Sequence, residues 1–525
     1  MTRKKKWLAG MGLAIAVAFI GLTIAGIVLN RRFQPYLRQQ AILYLRERFH
    51  SEVQLAGLHV SLPRISPLRW ALTRGRGTQL WVDGHGLVMR HKGRTDLPPM
   101  FAIRKFSFAV DPGTLFEKTK VVPVVEVEGL ELNLPPKEER PALAEKSPAP
   151  GDEENKTGVL LQEVHIRDAE FVMLPRDRAK KPLRFAIHQL NLKSAGTGVP
   201  MKYDARLTNP TPPGEIQSAG VFGPWNSDEP GDTQLNGDYR FDHADLGVFH
   251  GIAGILSSTG RFEGELDTIT ARGEATVPDF RLKRSGNRVP LKAQFEVQVD
   301  GTNGDTRLKP VIATLGATHF TTSGVVFKRE GDEHRQIHLD VNMPNGRMRD
   351  VLLLAMKDSP FMEGTLRLKT SLEIPPLTGK VVQKLHLNGE FQVSDGHFLR
   401  STIQDQIDAL SRRGQGQPKN QEIDEVISTM RGRFNLEDQV ISFEHLTFGV
   451  SGADVSLNGA YSLAEDSLDF HGALKLRAKV SQTMTGWKHW ILKPVDPFFA
   501  KNGAGTYLKI KVAGNAKAPK FGLDR

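Results

Sequence analysis

The chain has 525 residues, a length typical of two or more domains or of one long repetitive domain. Hydrophobic residues make up 39% and charged residues 25%, which excludes both disorder throughout and a polytopic membrane protein, and the absence of cysteine excludes disulfides and thiol chemistry. The net charge of +11 invites a nucleic-acid interpretation, but no basic stripe alternates with aromatic residues, so we predict no nucleic-acid partner.

The first element is an uncharged apolar segment, Trp7 to Leu29, which follows the basic cluster Arg3 to Lys6. At 1.5 Å per residue this segment is long enough to cross a hydrocarbon core of roughly 30 Å. A cleaved signal peptide is the alternative, because Thr23-Ile24-Ala25 weakly matches a cleavage site. We predict a retained transmembrane anchor within residues 1–32, with a cytoplasmic N-terminus and the rest of the chain across the membrane.

A short amphipathic helix is predicted directly after the anchor, from Gln34 to His50. Its apolar residues recur every four positions, at Phe33, Leu37, Ala41 and Leu45. This face is expected to cap the first strands, and direct membrane contact is the alternative. The helix and the first β-region together form a predicted domain, 33–134.

From Val53 onward the apolar residues recur at every second position, which is the pattern of strands with one apolar and one polar face. Roughly twenty such strands, separated by turn-forming clusters such as Asp300 to Gly304 and Asp395-Gly396, predict mostly β structure with antiparallel neighbours. The clearest alternating stretches are Lys292 to Asp300, Leu366 to Ile374, Leu385 to Val393 and Leu468 to Val480.

The polar segment 135–157 has the composition of a disordered linker or long surface loop. Beyond it we place a central repeating β-region at 158–386 and a C-terminal region at 387–525. Few helices interrupt the strands; they are predicted at Asp242 to Leu256, Asn345 to Met356, Ser401 to Leu410, Gln421 to Met430 and Thr483 to Ala500.

A sheet with one apolar face must cover that face, and the predicted helices are too few to cover about twenty strands. Either the strands form tandem β-sandwiches, or an elongated antiparallel sheet curls into a groove with a few short capping helices. Acyl chains suit such a groove, because each buried methylene contributes about 0.8 kcal/mol. The candidate lining residues are Phe295, Val297, Leu368, Phe391, Phe470 and Leu474, while Glu296, Lys369, Glu390 and Lys475 are expected to face water.

Three passages resemble the AsmA-like family of bacterial envelope proteins: Arg32 to Leu62, Leu235 to Leu282 and Leu387 to Asp524. The second contains a G-x-F-x-G pattern and ends in P-D-F-x-L, and the third ends in GAGTYLKIKVAGNAKAPKFGL. The resemblance implies inner-membrane-anchored periplasmic proteins with repeating β-grooves that move phospholipid toward the outer membrane. It therefore favours the groove over the sandwiches, although the insert 135–157 has no counterpart in the family pattern.

These expectations combine into a single-pass bacterial inner-membrane protein whose periplasmic body binds phospholipid and moves it toward the outer membrane, with no cofactor or metal. The alternative is a structural or assembly factor for outer-membrane proteins that binds envelope partners through exposed strand edges. We predict no enzymatic activity, because no G-x-S-x-G, H-E-x-x-H, Walker A or complete G-x-G-x-x-G motif occurs. His243, Asp245 and His250 are close in sequence but are interpreted as solvated surface residues.

Overall fold

The computed structural model describes most of the chain in two units. Contacts between Cα atoms divide it into Met1–Tyr239 and Arg240–Arg525. The domain boundaries drawn from composition, at 134/135, 157/158 and 386/387, stay predictions. The residues left undescribed are 1–34, 44, 47–50, 62–79, 92–95, 111–118, 135–157, 175–181, 197–198, 225–229, 302, 330–331, 333, 418–425, 480–504, 516–518 and 525.

Three predicted segments therefore lie outside the described residues: the anchor at 7–29, the linker at 135–157 and the helix from Thr483 to Ala500. In the part of the chain that is described, no helix combines the length and the apolar character needed to cross a membrane.

The prediction of mostly β structure is confirmed in both units. The first unit begins with helix α1 (35–43) and continues almost entirely as strands. These are β1 (Ser51–Ser61), β2 (Leu80–His91), β3 (Phe101–Val110), β4 (Thr119–Leu134), β5 (Gly158–Met173), β6 (Leu183–Gly196), β7 (Met201–Pro210), β8 (Pro213–Phe222) and the first part of β9 (Gln234–Asp245).

Helix α1 packs on the first strands, as its spacing predicts. Ile42 and Leu45 contact a buried cluster that includes Val53 and Leu55 of β1. Arg38 Nε donates a hydrogen bond of 2.8 Å to the carbonyl oxygen of Leu55. Of the predicted apolar face, Leu45 therefore lies against protein, together with its neighbour Ile42.

One strand pair of the first unit departs from the antiparallel prediction. β4 and β5 pair in parallel, from Thr119 opposite Gly158 to Leu134 opposite Met173. A parallel pair needs a connection of a dozen or more residues, and the sequence between Leu134 and Gly158 is long enough to provide one. Alternation could not reveal this, because the side chains alternate in the same way in parallel and antiparallel pairs.

The described residues of the second unit form the remaining strands and three α-helices. From β11 onward each long strand pairs antiparallel with the next, while β10 pairs with β13. The elements are β10 (Ile252–Ala253), β11 (Ile255–Glu265), β12 (Thr268–Val277), β13 (Arg281–Leu282), β14 (Leu291–Val299), β15 (Thr306–Leu315), β16 (Thr318–Phe327), β17 (Gln336–Arg347), α2 (Met348–Ala355), β18 (Met362–Ile374), α3 (Val381–Lys384), β19 (His386–Phe398), α4 (Ser401–Gln415), β20 (Ser428–Glu437), β21 (Val440–Val450), β22 (Ala453–Ser462), β23 (Ser467–Leu476), β24 (Thr506–Asn515) and β25 (Lys520–Leu523).

The prediction of a helix from Asp242 to Leu256 is wrong. β9 runs to Asp245, a single 3-10 turn follows, and β11 begins at Ile255. Gly251 and Gly254 have φ values of 98° and 142°, which a helix cannot contain. Asp245 instead accepts a hydrogen bond of 2.7 Å from the N–H of Gly247, which stabilises a tight turn.

The helix predicted from Gln421 to Met430 is wrong at its described end, because Ser428 to Met430 open β20. The helices predicted at 345–356 and 401–410 are confirmed as α2 and α4. Helix α4 continues to Gln415 and ends where Gly416 adopts the left-handed conformation, with its N–H bonded to carbonyl groups of the last turn.

The Asp395-Gly396 dipeptide does not separate two strands, contrary to prediction. It forms a β-bulge inside β19, where the pairing with β20 shifts register between Val393 and Gly396. Asp395 has a φ of 53°, the left-handed conformation that asparagine and aspartate tolerate better than most residues. The Asp-Gly pattern, which is typical of turns, therefore corresponds here to a β-bulge.

Both longer helices of the second unit lie at one end of its strands, which we call the capped end. α2 joins the end of β17 to the start of β18, and α4 joins the end of β19 to the start of β20. The two helices share this end because Met362 of β18 pairs with Phe398 of β19. Met362 and Val393 are fully buried there, with Leu352 of α2 in the same cluster. The opposite strand ends, where the one-turn helix α3 joins β18 to β19, form the open end.

Candidate functional site

One face of the second unit carries apolar side chains in register across consecutive strands. Leu368 of β18 lies opposite Phe391 of β19, and Phe470 of β23 lies opposite Val512 of β24. Directly opposed residues in antiparallel strands project to the same face of a sheet. The alternating positions therefore form one apolar face.

The six candidate lining residues all occupy this face, but they do not form one cluster. Leu368 and Phe391 pack together against the core at the capped end, and Leu474 packs against a second buried cluster. Phe295 and Val297 lie apart from them on β14, opposite Gly273 and Ala271 of β12. Five of the six are half-buried, whereas Phe470 is only 6% exposed.

Two of the further phenylalanines on this face connect its members. The ring of Phe443 lies 6.4 Å from Phe391 and 5.8 Å from Phe470, centre to centre. Phe434 lies 6.3 Å from Phe391. These distances suit favourable aromatic pairs. The rings form a continuous aromatic band from β19 to β23.

Sequence reasoning missed both residues for identifiable reasons. A β-bulge between Phe443 and Leu446 places both on the apolar face although they are three positions apart, which breaks the alternation. Phe434 follows Met430 and Gly432 at every second position, so alternation alone predicts that it lies on the apolar face. The predicted helix ending at Met430 obscured it.

The polar face carries ion pairs, and one of the four residues predicted to face water, Glu296, takes part in them. Arg272 donates to Glu296 at 2.9 Å and to Glu263 at 3.0 Å, and Lys309 also bonds Glu296. The hydrogen bonds from Arg272 and then Lys309 lower the pKa of Glu296 to about 2. Lys511 of β24 lies 3.1 Å from Asp469 of β23 and lowers the pKa of that carboxyl.

Burial on the apolar face differs between the two ends. At the capped end Leu366 is 3% exposed and Val393 is fully buried. Toward the open end the described residues leave the apolar row partly exposed, although Leu436 on β20 is an exception at 3%. The row consists of Ile269, Val299, Val326, Ile337 and Ile374, one from each of β12, β14, β16, β17 and β18.

The described residues contain no group of three or more side chains arranged to hold a metal ion, and His243 and His250 are exposed. The chain matches no protein-family model, no curated protein and no solved structure. Its function must therefore be inferred from the chemistry of the two sheet faces.

Proposed function

We propose that this protein is anchored in a bacterial inner membrane and carries phospholipid acyl chains along the apolar face of its second unit, toward the outer membrane. The observation that supports this most directly is the partly exposed apolar row from Ile269 to Ile374 at the open end. The core of a closed sandwich would bury such residues between two sheets. The resemblance of three passages to the AsmA-like family supports the same proposal.

The transfer free energy of acyl chains also favours their binding to this face. A phospholipid that leaves a bilayer for water exposes both of its acyl tails. Each exposed methylene costs about 0.8 kcal/mol of free energy, so the total cost is well over about 20 kcal/mol. Contact with the apolar row, which Thr306 of β15 interrupts between Val299 and Val326, would remove much of that barrier. Burial of the row adds to the binding free energy, because its partly exposed isoleucine and valine side chains lose contact with water.

Photo-crosslinking on both faces of one strand tests this proposal. Ile374 belongs to the apolar row, while Glu373 is its neighbour on the polar face of β18. A photoreactive residue at Ile374 or Phe391 is expected to capture phospholipid in cells, and the same residue at Glu373 is not. Equal capture at Ile374 and Glu373, or none at Ile374 in a protein of normal abundance, contradicts the proposal.

Charge substitutions separate an open face from a closed core. Ile374→Arg is expected to block lipid capture at normal protein abundance, because a partly exposed arginine can extend its head group into water. Phe470→Arg places a charge at a buried position and is expected to lower abundance. Immunoblotting together with crosslinking at Phe391 measures both effects. A large loss of abundance in both variants would favour the tandem sandwiches.

Strand-edge binding is a second candidate function, favoured by the exposure of β25. Phe521 and Leu523 are 72% and 67% exposed on this strand, which pairs with β24 from Ile510 to Ala513. Exposed apolar residues on an outer strand suit the addition of a partner's strand. Under this candidate, Phe521→Lys with Leu523→Lys would abolish co-purification of a stoichiometric protein partner and leave lipid capture at Ile374 unchanged.

A further inference from the structure

Two adjoining depressions open on the polar face of the second unit. The first, of about 790 Å³, is lined by residues of β15 to β20, and the second, of about 600 Å³, by residues of β18 to β21. They share Lys369, Glu390 and Arg433, and therefore form one continuous concavity. We call the second depression, with its charged residues, the basic depression.

Four cationic side chains line the basic depression. Arg367 and Lys369 belong to β18, and Arg431 and Arg433 belong to β20. Among the described residues that line it, Glu390 on the intervening strand β19 is the one carboxylate. Positive charge therefore dominates.

The strand register places the four cations at the corners of a rectangle. Arg367 pairs with Gln392, which pairs with Arg431; Lys369 pairs with Glu390, which pairs with Arg433. With strands about 4.8 Å apart and alternate residues about 7 Å apart, the rectangle measures about 10 by 7 Å at the backbone. Long arginine and lysine side chains can converge over this distance onto one ligand.

These cations differ from others on the polar face in lacking acidic partners. Arg272 and Lys511 each pair with a carboxylate, at 2.9 and 3.1 Å respectively. Within the described chain, Arg367, Lys369 and Arg433 make no such pair. Arg431 donates a hydrogen bond of 3.2 Å to Thr447. Neighbouring like charges repel, so a bound anion would stabilise this arrangement.

We propose that the basic depression binds a phosphate-bearing anion through Arg367, Lys369, Arg431 and Arg433. Planar guanidinium groups bind phosphate oxygens in pairs, and the lysine adds a point charge. A volume of about 600 Å³ suits a ligand of headgroup size rather than the broad surface of a protein partner. The site lies on the face opposite the acyl-chain row and needs no acyl chain, so it extends beyond the transport proposal.

The ligand could be a free phosphate compound or the headgroup of an anionic lipid, and one protein preparation tests both. The full-length chain is held in phosphatidylcholine nanodiscs, which accommodate the apolar N-terminal segment. Inorganic pyrophosphate is titrated by calorimetry, and recruitment to added liposomes of phosphatidylglycerol or phosphatidylcholine is measured by flotation. We expect saturable binding that weakens as salt is raised, since exposed charges are screened.

Matched variants assign the binding to the depression. Arg431→Gln with Arg433→Gln, or Arg367→Gln with Lys369→Gln, is expected to weaken binding at least about tenfold, since charge-assisted hydrogen bonds are strong. Lys292→Gln with Arg307→Gln removes the same charge from exposed positions of β14 and β15 and should change affinity less than about twofold. Circular dichroism and unfolding midpoints verify that each variant folds.

Each outcome is decisive. Pyrophosphate binding that only the depression variants lose supports the site with a free phosphate ligand. Recruitment to phosphatidylglycerol alone, lost in the same variants, supports it with a lipid headgroup. No binding in either arm, or equal loss in the control pair, overturns the proposal. Tighter binding of a polyglutamate peptide than of pyrophosphate overturns it as well. Lipid capture at Ile374 is unaffected in all these cases, so the two proposals fail separately.

Discussion

Glycine stands opposite phenylalanine on neighbouring strands of the apolar face. Gly273 of β12 faces Phe295 of β14, and Gly432 of β20 faces Phe391 of β19. A Cβ atom added at Gly273 would lie 3.1 Å from Phe295 Cζ and would overlap the carbonyl oxygen of Thr259. The missing side chain therefore leaves room for the ring to lie over the adjacent strand, which keeps the aromatic residue on the sheet.

Gly273→Ala is expected to destabilise the protein by about 1–3 kcal/mol, because the added methyl group forces the ring or the backbone to move. Urea unfolding followed by circular dichroism measures the change. Gly522→Ala on β25 is the control, since a Cβ there meets no atom within 4 Å. Its unfolding midpoint should stay close to that of the parent protein. Equal effects from both substitutions would show that the ring does not need the space at Gly273.

The ion pairs around Glu296 predict a dependence of stability on pH. Its pKa of about 2 lies below the unfolded value of about 4.3, so the ionised carboxylate favours the folded state. This stabilisation is complete above the unfolded pKa and is lost as the pH falls toward 2. Glu296→Gln should therefore flatten the dependence of the unfolding midpoint on pH between about 4.5 and 2. Glu437→Gln, at an exposed position of β20, should preserve that dependence.

At the scale of strands and helices, alternation predicted both ends of β14 to within about one residue. It predicted one end of β18, β19 and β23 equally well, but missed the start of β18 and the ends of β19 and β23 by about four or five residues. It worked because each strand has one polar and one apolar face, so burial follows a period of two. It failed where the backbone breaks that period, as at the bulges beside Phe443 and Asp395. The basic depression could not be predicted, because Arg367 and Arg431 are far apart in sequence and meet only through the pairing of β18, β19 and β20.

The capped and open ends of β18 are expected to respond differently to the same kind of truncation. Met362→Ala removes a fully buried side chain beneath α2 and should cost about 2–5 kcal/mol of unfolding free energy. Leu372→Ala removes a partly exposed side chain and should cost clearly less, while lowering lipid capture at Ile374. Chemical denaturation and photo-crosslinking report the two effects. A comparable loss of stability in both variants would mean that the open end is closed core.

At the scale of the whole chain, the two faces of the second unit suit the two halves of a phospholipid's chemistry. Phe391 belongs to the apolar face and also lines the basic depression, whereas the residues of the apolar row do not line it. The apolar row suits hydrocarbon, and the basic depression suits phosphate. They lie on opposite sides of the same strands, so a single lipid bound along the row would not place its headgroup in the depression. Under both proposals the faces therefore act on different molecules. Substitutions on one face should leave binding at the other unchanged.

The membrane orientation of the full chain gives the last prediction, and the absence of cysteine makes it directly measurable. Single cysteines at Thr2, at Glu215 in the first unit and at Lys520 in the second can each be labelled without background. In cells with a permeabilised outer membrane, a maleimide that cannot cross membranes should label Glu215→Cys and Lys520→Cys. Thr2→Cys should react only after lysis, because the basic cluster Arg3 to Lys6 favours the cytoplasmic side. Labelling of Thr2→Cys alone before lysis would reverse the orientation. If the mature protein cannot be labelled at Thr2→Cys even after lysis, residue 2 has been removed, and the apolar segment is a cleaved signal rather than an anchor.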